Sequence, residues 1–139
     1  MAENPFGQVL VALVTPFTHD GEVDWNDVER LIDDVVSNGA DGIVVTGTTG
    51  ETSTLTDAEK VRLVEVGKKV AGSRAKIIMG GPSNETAHAI ELAKKSEKAG
   101  ADGIMAVTPY YNKPTQAGVL THFRMVADAT ELPMLVYDI

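Results

Sequence analysis

The chain has 139 residues, a length that fits a single domain. Its content of 43% hydrophobic and 23% charged residues suffices to bury a core and excludes a disordered polymer. Twelve basic against twenty acidic side chains leave a net charge of −8, which argues against nucleic-acid phosphates as partners, and the absence of cysteine excludes disulfides and thiolate metal ligands.

The first element is an apolar run over residues 8–14, read as a strand and closed by Thr15-Pro16. An acidic turn over residues 19–22 follows, and Asp24 is placed to cap a helix. Val28, Leu31, Ile32, Val35 and Val36 recur at helical spacing, and the helix ends at Asn38-Gly39. Residues 42–46 read as a buried strand. Thr56 with Glu59 three residues on predicts a capping box for a second helix, whose apolar stripe is Val61, Leu63, Val64, Val66 and Val70. Residues 76–79 form the third strand. Asn84 is expected to open a third helix, with Ala87, Ile90, Leu92 and Ala93 on its apolar side, ending at Ala99-Gly100. Residues 103–107 are the fourth strand, residues 115–129 the fourth helix, and residues 133–137 the fifth strand.

Continuous apolar strands, each followed by a helix, predict a parallel sheet covered by helices. The segment GADGI at residues 39–43 recurs at residues 100–104, two strand–helix units later. In each copy glycine ends a helix, aspartate turns the chain and a strand begins. Two architectures fit one domain over residues 1–139: half of a (β/α)8 barrel, which usually takes about 250 residues when closed, or a smaller doubly wound sheet. Both present ligands at the C-terminal ends of their strands. No apolar run approaches the roughly 20 residues of a membrane helix. Residues 1–5 lack the basic and apolar regions of a signal peptide. The expectation is a cytoplasmic protein without membrane or nucleic-acid partners.

Three segments carry chemistry. TGTTGE at residues 46–51 follows the second strand. Its glycines permit a sharp turn, and its hydroxyls and N–H groups suit a small carboxylate; an ordinary Gly/Thr turn is the alternative. It lacks the spacing of a P-loop. TPYYNKP at residues 108–114 sets two tyrosines in a proline-bounded loop, either as proton relay or ligand donors or as a lid or subunit contact. Tyr137 ends the fifth strand, facing either the catalytic rim or the core. His19, His88 and His122 show no metal-ligand spacing and are assigned to surface or interface roles.

Taken with residues 12–17, ALVTPF, these three segments resemble the dihydrodipicolinate synthase family over residues 8–139. GTTGE-like turns run through the wider superfamily of pyruvate-dependent aldolases and lyases. The Tyr-Tyr-Asn-Lys-Pro loop points to the synthase. The resemblance implies the first half of a TIM (β/α)8 barrel, α/β in class. It implies a lyase that condenses pyruvate with aspartate-4-semialdehyde in lysine (diaminopimelate) biosynthesis, using a lysine Schiff base and no cofactor or metal. By position, Tyr137 shuttles protons, Thr48 links it to Tyr111, and Tyr111 crosses from a neighbouring subunit. Thr49 and Gly47 hold the pyruvate carboxylate. A homo-oligomer, dimer or tetramer, follows from the crossing tyrosine.

The family's Schiff-base lysine lies on a sixth strand, and its mouth arginine shortly after the fifth, both past residue 139. Lys60, Lys68, Lys69, Lys94, Lys95 and Lys98 lie on predicted helices, Lys76 starts the third strand at the opposite rim, and Lys113 is in the tyrosine loop. The chain alone is therefore expected to form no pyruvate imine. Lysine-inhibited members bind their effector at a dimer interface near the second and third βα turns. Asn84 matches a contact there, whereas Lys60 and His88 replace the usual histidine and glutamate. The added cations predict weak or absent lysine feedback. The alternatives are a related aldolase of the N-acetylneuraminate lyase type, distinguished by its acceptor aldehyde, and a non-catalytic, self-assembling half-barrel, distinguished by its mass in solution.

Overall fold

The computed structural model describes residues 4–81 and 83–139. Five strands, β1 (Leu10–Ala12), β2 (Gly42–Val45), β3 (Lys76–Gly80), β4 (Gly103–Val107) and β5 (Met134–Tyr137), lie in the order β1-β2-β3-β4-β5. Every pairing is parallel: Leu10 stands beside Gly42, Gly42 beside Lys76, Ile78 beside Gly103, and Ile104 beside Met134. Four helices, α1 (Trp25–Ser37), α2 (Asp57–Ala71), α3 (Thr86–Lys98) and α4 (Gln116–Ala127), make the crossovers. The sheet is the first half of a (β/α)8 barrel. A doubly wound sheet is excluded, because its strand order reverses whereas this one runs monotonically.

The helices begin where local chemistry stops another conformation. Asp24 accepts from the N–H groups of Asn26 and Asp27, and Thr56 with Glu59 forms the reciprocal box expected for α2. The cap of α3 is Glu85, not Asn84: the longer carboxylate accepts from Ala87 and His88, while Asn84 turns to donate to the carbonyl of Tyr110 at 3.3 Å. Ala87 is correspondingly exposed, and the buried face of α3 is Ala89, Leu92, Ala93 and Ser96.

Side chains alternate across each strand. On the helix side Ile43, Val45, Ile77 and Met79 pack with Val28, Ile32, Leu63, Val64 and Leu92. On the inner side Val44 and Ile78 pack with Leu10, Met105, Leu135 and Phe6. Each such fully buried aliphatic contributes about 1.5–3 kcal/mol. Phe6 fills the inner floor so closely that a Cβ on Gly103 would stand 2.3 Å from its ring.

The repeated GADGI segments have one structural task. Gly39 and Gly100 end their helices at φ +100° and +89°. The aspartate then reaches sideways to the start of the neighbouring strand. Asp41 accepts from the N–H groups of Gln8 and Val9 at 2.8 and 2.9 Å. Asp102 accepts from the N–H of Ile77 at 2.9 Å and pairs with Lys68 at 2.8 Å.

Strand β1 is shorter than the apolar run over residues 8–14. Its start is taken by Asp41, and its end is drawn away because Thr15 bonds to the loop after β2. His122, expected at a surface or an interface, is only 4% exposed: it faces α3, where its Nδ1 meets the Thr86 hydroxyl at 2.9 Å. Burial pushes the pKa of this imidazole down. Trp25 lies beneath the guanidinium of Arg62, 4.0 Å away. Asp33 accepts from the Arg74 guanidinium at 2.7 Å. No helix among the described residues is long and apolar enough to cross a membrane.

Candidate active site

Because all five strands are parallel, the segments that follow them share one rim. Residues 46–51 follow β2, residues 108–114 follow β4, and Tyr137 ends β5. Thr46 continues β2 with a left-handed backbone, φ +59°, which turns the chain over the end of β3. The turn then closes on itself: the N–H of Gly50 donates to Gly47 O at 3.0 Å, and that of Glu51 to Thr48 O at 3.0 Å. Among the described residues, the N–H groups of Thr48 and Thr49 donate to no backbone carbonyl outside the strands. Both side chains are exposed. Two hydroxyls and two N–H groups at the tip of one tight turn form a donor set for a small anion.

Two glycines at the end of β3 make this turn possible, and no motif had singled them out. A Cβ on Gly80 would lie 3.0 Å from both the N and the Cα of Gly47. Gly81 has φ +62°, and a Cβ there would lie 2.7 Å from the Thr46 carbonyl. The signal available was Gly-Gly directly after an apolar strand, which marks a close backbone approach.

Tyr137 shares the inner face of the sheet with Leu135 by the two-residue alternation of β5, and is 39% exposed. The N–H of Thr108 donates to the Tyr137 carbonyl at 3.0 Å, and its hydroxyl to Asp138 at 3.0 Å, so the ends of β4 and β5 are tied. Beyond Thr108, the backbones of Tyr111 and Lys113 are left-handed, φ 70° and 46°. Tyr111 is 93% exposed and projects from the rim. A cavity of about 320 Å³ lies between Thr108, Pro109, Tyr110, Tyr111, Lys113 and Ile139.

The structure therefore brings Gly47, Thr48, Thr49, Tyr111 and Tyr137 to one rim. It does not join them: among the described residues no hydrogen bond links the hydroxyls of Thr48, Tyr111 and Tyr137. Lys76 lies at the opposite rim, at the start of β3 and 3.5 Å from Asp102.

The model of the dihydrodipicolinate synthetase family matches residues 5–139. The chain belongs to the dihydrodipicolinate synthetase family. The 4-hydroxy-tetrahydrodipicolinate synthase of Acidothermus cellulolyticus is 55% identical over 135 residues, 97% of this chain and 44% of that protein. The crystal structure of dihydrodipicolinate synthase from Cyanidioschyzon merolae, with lysine bound, superposes with a TM-score of 0.95 at 48% identity, over 99% of this chain and 47% of that one. The chloride-inhibited synthase of Acinetobacter baumannii, complexed with pyruvate, gives 0.93 at 43% identity, over 98% and 46%. The chain thus spans a little under half the length of the dihydrodipicolinate synthetase family members that it matches. The five strands of this chain carry the GTTGE turn, the tyrosine loop and Tyr137.

Proposed function

We propose that this chain supplies one side of the active-site rim of a synthase that condenses pyruvate with aspartate-4-semialdehyde. The observation that carries this reading is the turn at residues 47–50, whose free N–H groups and exposed threonine hydroxyls stand on the same rim as Tyr137. Membership of the family supports it independently.

In this reading Thr49 and the backbone from Gly47 hold the carboxylate of pyruvate. The imine forms when a lysine amine of the family's sixth strand adds to the pyruvate carbonyl and water leaves. The iminium then accepts the electron pair of a methyl C–H bond, and the resulting enamine carbon attacks the aldehyde carbonyl. Each step moves a proton. Tyr137 takes and returns it near the substrate, and Thr48 passes it to a Tyr111 hydroxyl. The exposure of Tyr111 suits a side chain that serves the site of an adjoining subunit, so the working unit is a homo-oligomer, a dimer or tetramer. No metal or cofactor takes part, and the setting is cytoplasmic, on the lysine route.

The test is a chimera in which residues 5–139 replace the matching segment of the Acidothermus cellulolyticus relative. It should condense the two substrates. Tyr137→Phe should lower kcat about 10²–10⁴-fold, the range for loss of a positioned proton-transfer group. A chimera that folds but gives no product, or a Tyr137→Phe variant with undiminished kcat, would overturn the reading.

A further inference from the structure

Two buried threonines grip the turn from below. Thr46 is 1% exposed and Thr15 is 7% exposed. The Thr46 hydroxyl donates to the Gly80 carbonyl at 2.7 Å, and the Thr15 hydroxyl to the Gly50 carbonyl at 2.7 Å. Residues 47–50 lie between these two bonds. One foot of the turn is thereby pinned to the end of β3, the other to the segment that leaves β1.

Packing alone does not explain these hydroxyls. A valine would fill either site with the same shape, and a buried hydroxyl is unfavourable unless it is bonded. Thr46 moreover holds a left-handed φ that β-branched residues avoid, so its conformation is imposed by the contacts around it. The approach is tight on every side. A Cβ at Gly50 would meet the Leu13 carbonyl at 2.9 Å and the Thr15 hydroxyl at 3.2 Å.

We infer that Thr15 and Thr46 are positioning residues: they touch no substrate, but fix where the Thr48 and Thr49 N–H groups point, and hence the affinity of the site for the keto-acid carboxylate. The inference rests on the proposed role of that turn. Misplacement by about 1 Å costs on the order of 100-fold in rate when a reacting group must be held in register. A turn freed at one foot keeps only one of the two bonds that fix its register.

The experiment uses the same chimera with Thr46→Val and, separately, Thr15→Val, which keep shape and remove the hydroxyl. The KM for pyruvate should rise about tenfold or more in each, the size expected when a hydrogen bond to a charged carboxylate is weakened or lost. The KM for the aldehyde should stay at the parental value, and Thr46→Ser and Thr15→Ser should restore the parental KM for pyruvate. Valine variants with unchanged KM for pyruvate would overturn the inference. So would a parallel rise in both KM values that serine does not rescue. If Thr46→Val does not fold, Thr15→Val decides by the same split. An inactive parental chimera sinks the synthase reading and this inference with it; an active parent with indifferent valine variants sinks this inference alone.

Discussion

The Nε2 of His88 on α3 stands 2.9 and 3.0 Å from the two carboxylate oxygens of Asp57 on α2. The pair changes how the neighbourhood of Asn84 is read. By charge alone, His88 and Lys60 both count as cations that repel a lysine ammonium. In the structure His88 is matched by Asp57, which Lys95 also approaches at 3.6 Å, and the Asn84 amide is committed to the Tyr110 carbonyl. Lys60, on α2 and only 8% exposed, adds a further cation to the same carboxylate, so positive charge outweighs negative around it. The expected outcome is weak or absent inhibition when lysine is titrated into the chimera, with sensitivity increased by Lys60→His together with His88→Glu. Strong inhibition of the unmodified chimera would refute this.

Acid should unfold the chain through its strand-capping aspartates. Burial raises the pKa of Asp102, but the Lys68 ammonium, the Ile77 N–H and Lys76 outweigh burial and hold it below the ordinary value. The N–H groups of Val9 and Gln8 hold Asp41 low. A carboxylate depressed in the folded state contributes stability that is complete above its unfolded pKa, about 3.9. That contribution is lost as pH falls through the folded pKa. The melting temperature should therefore drop as pH falls below about 4. Asp102→Asn should cost about 1–3 kcal/mol near neutrality and flatten the acid limb. An equally steep limb in the variant would count against this assignment.

Gly80→Ala should be poorly tolerated despite its single added carbon. The new Cβ would stand 2.9 Å from Val44 Cγ1 and 3.0 Å from the Gly47 backbone. Neither neighbour is a flexible tip, so the turn must lift. Overpacking of this kind costs about 1–3 kcal/mol. In the chimera, a raised KM for pyruvate should accompany the lower melting temperature. Full stability and parental KM together would show that the close approach is not needed.

The 139-residue chain by itself should form no borohydride-trapped adduct with pyruvate. Among the described residues, the rim bears hydroxyls and N–H groups, and its lysine, Lys113, is an exposed loop residue rather than a desolvated amine. Mass spectrometry after reduction checks this, and an adduct on any residue would overturn it.

Much of the fold was legible because its signals are local. Asp24 and Thr56 satisfy N–H groups two or three residues ahead, so the caps of α1 and α2 can be read without knowing what lies across the molecule. The continuous apolar runs of β2, β3 and β4 require cover on both faces, and that requirement implies a parallel sheet. The GTTGE turn, the tyrosine loop and Tyr137 were legible by type and by their place after strands.

The rest depended on partners distant in the chain. That Asp41 and Asp102 clamp neighbouring strands, that His122 is buried against Thr86, and that His88 is matched by Asp57 are facts about residues 25 to 36 positions apart. The same holds for the two buried hydroxyls, whose acceptors lie 34 and 35 residues away. Sequence by itself determined which segments become strands and helices, because hydrogen bonding and amphipathic period act within a few residues. Tertiary structure alone decided how the carboxylate-sized turn is held. Its supports are bonds and close approaches across β1, β2 and β3, and their geometry exists only once the parallel strands have aligned.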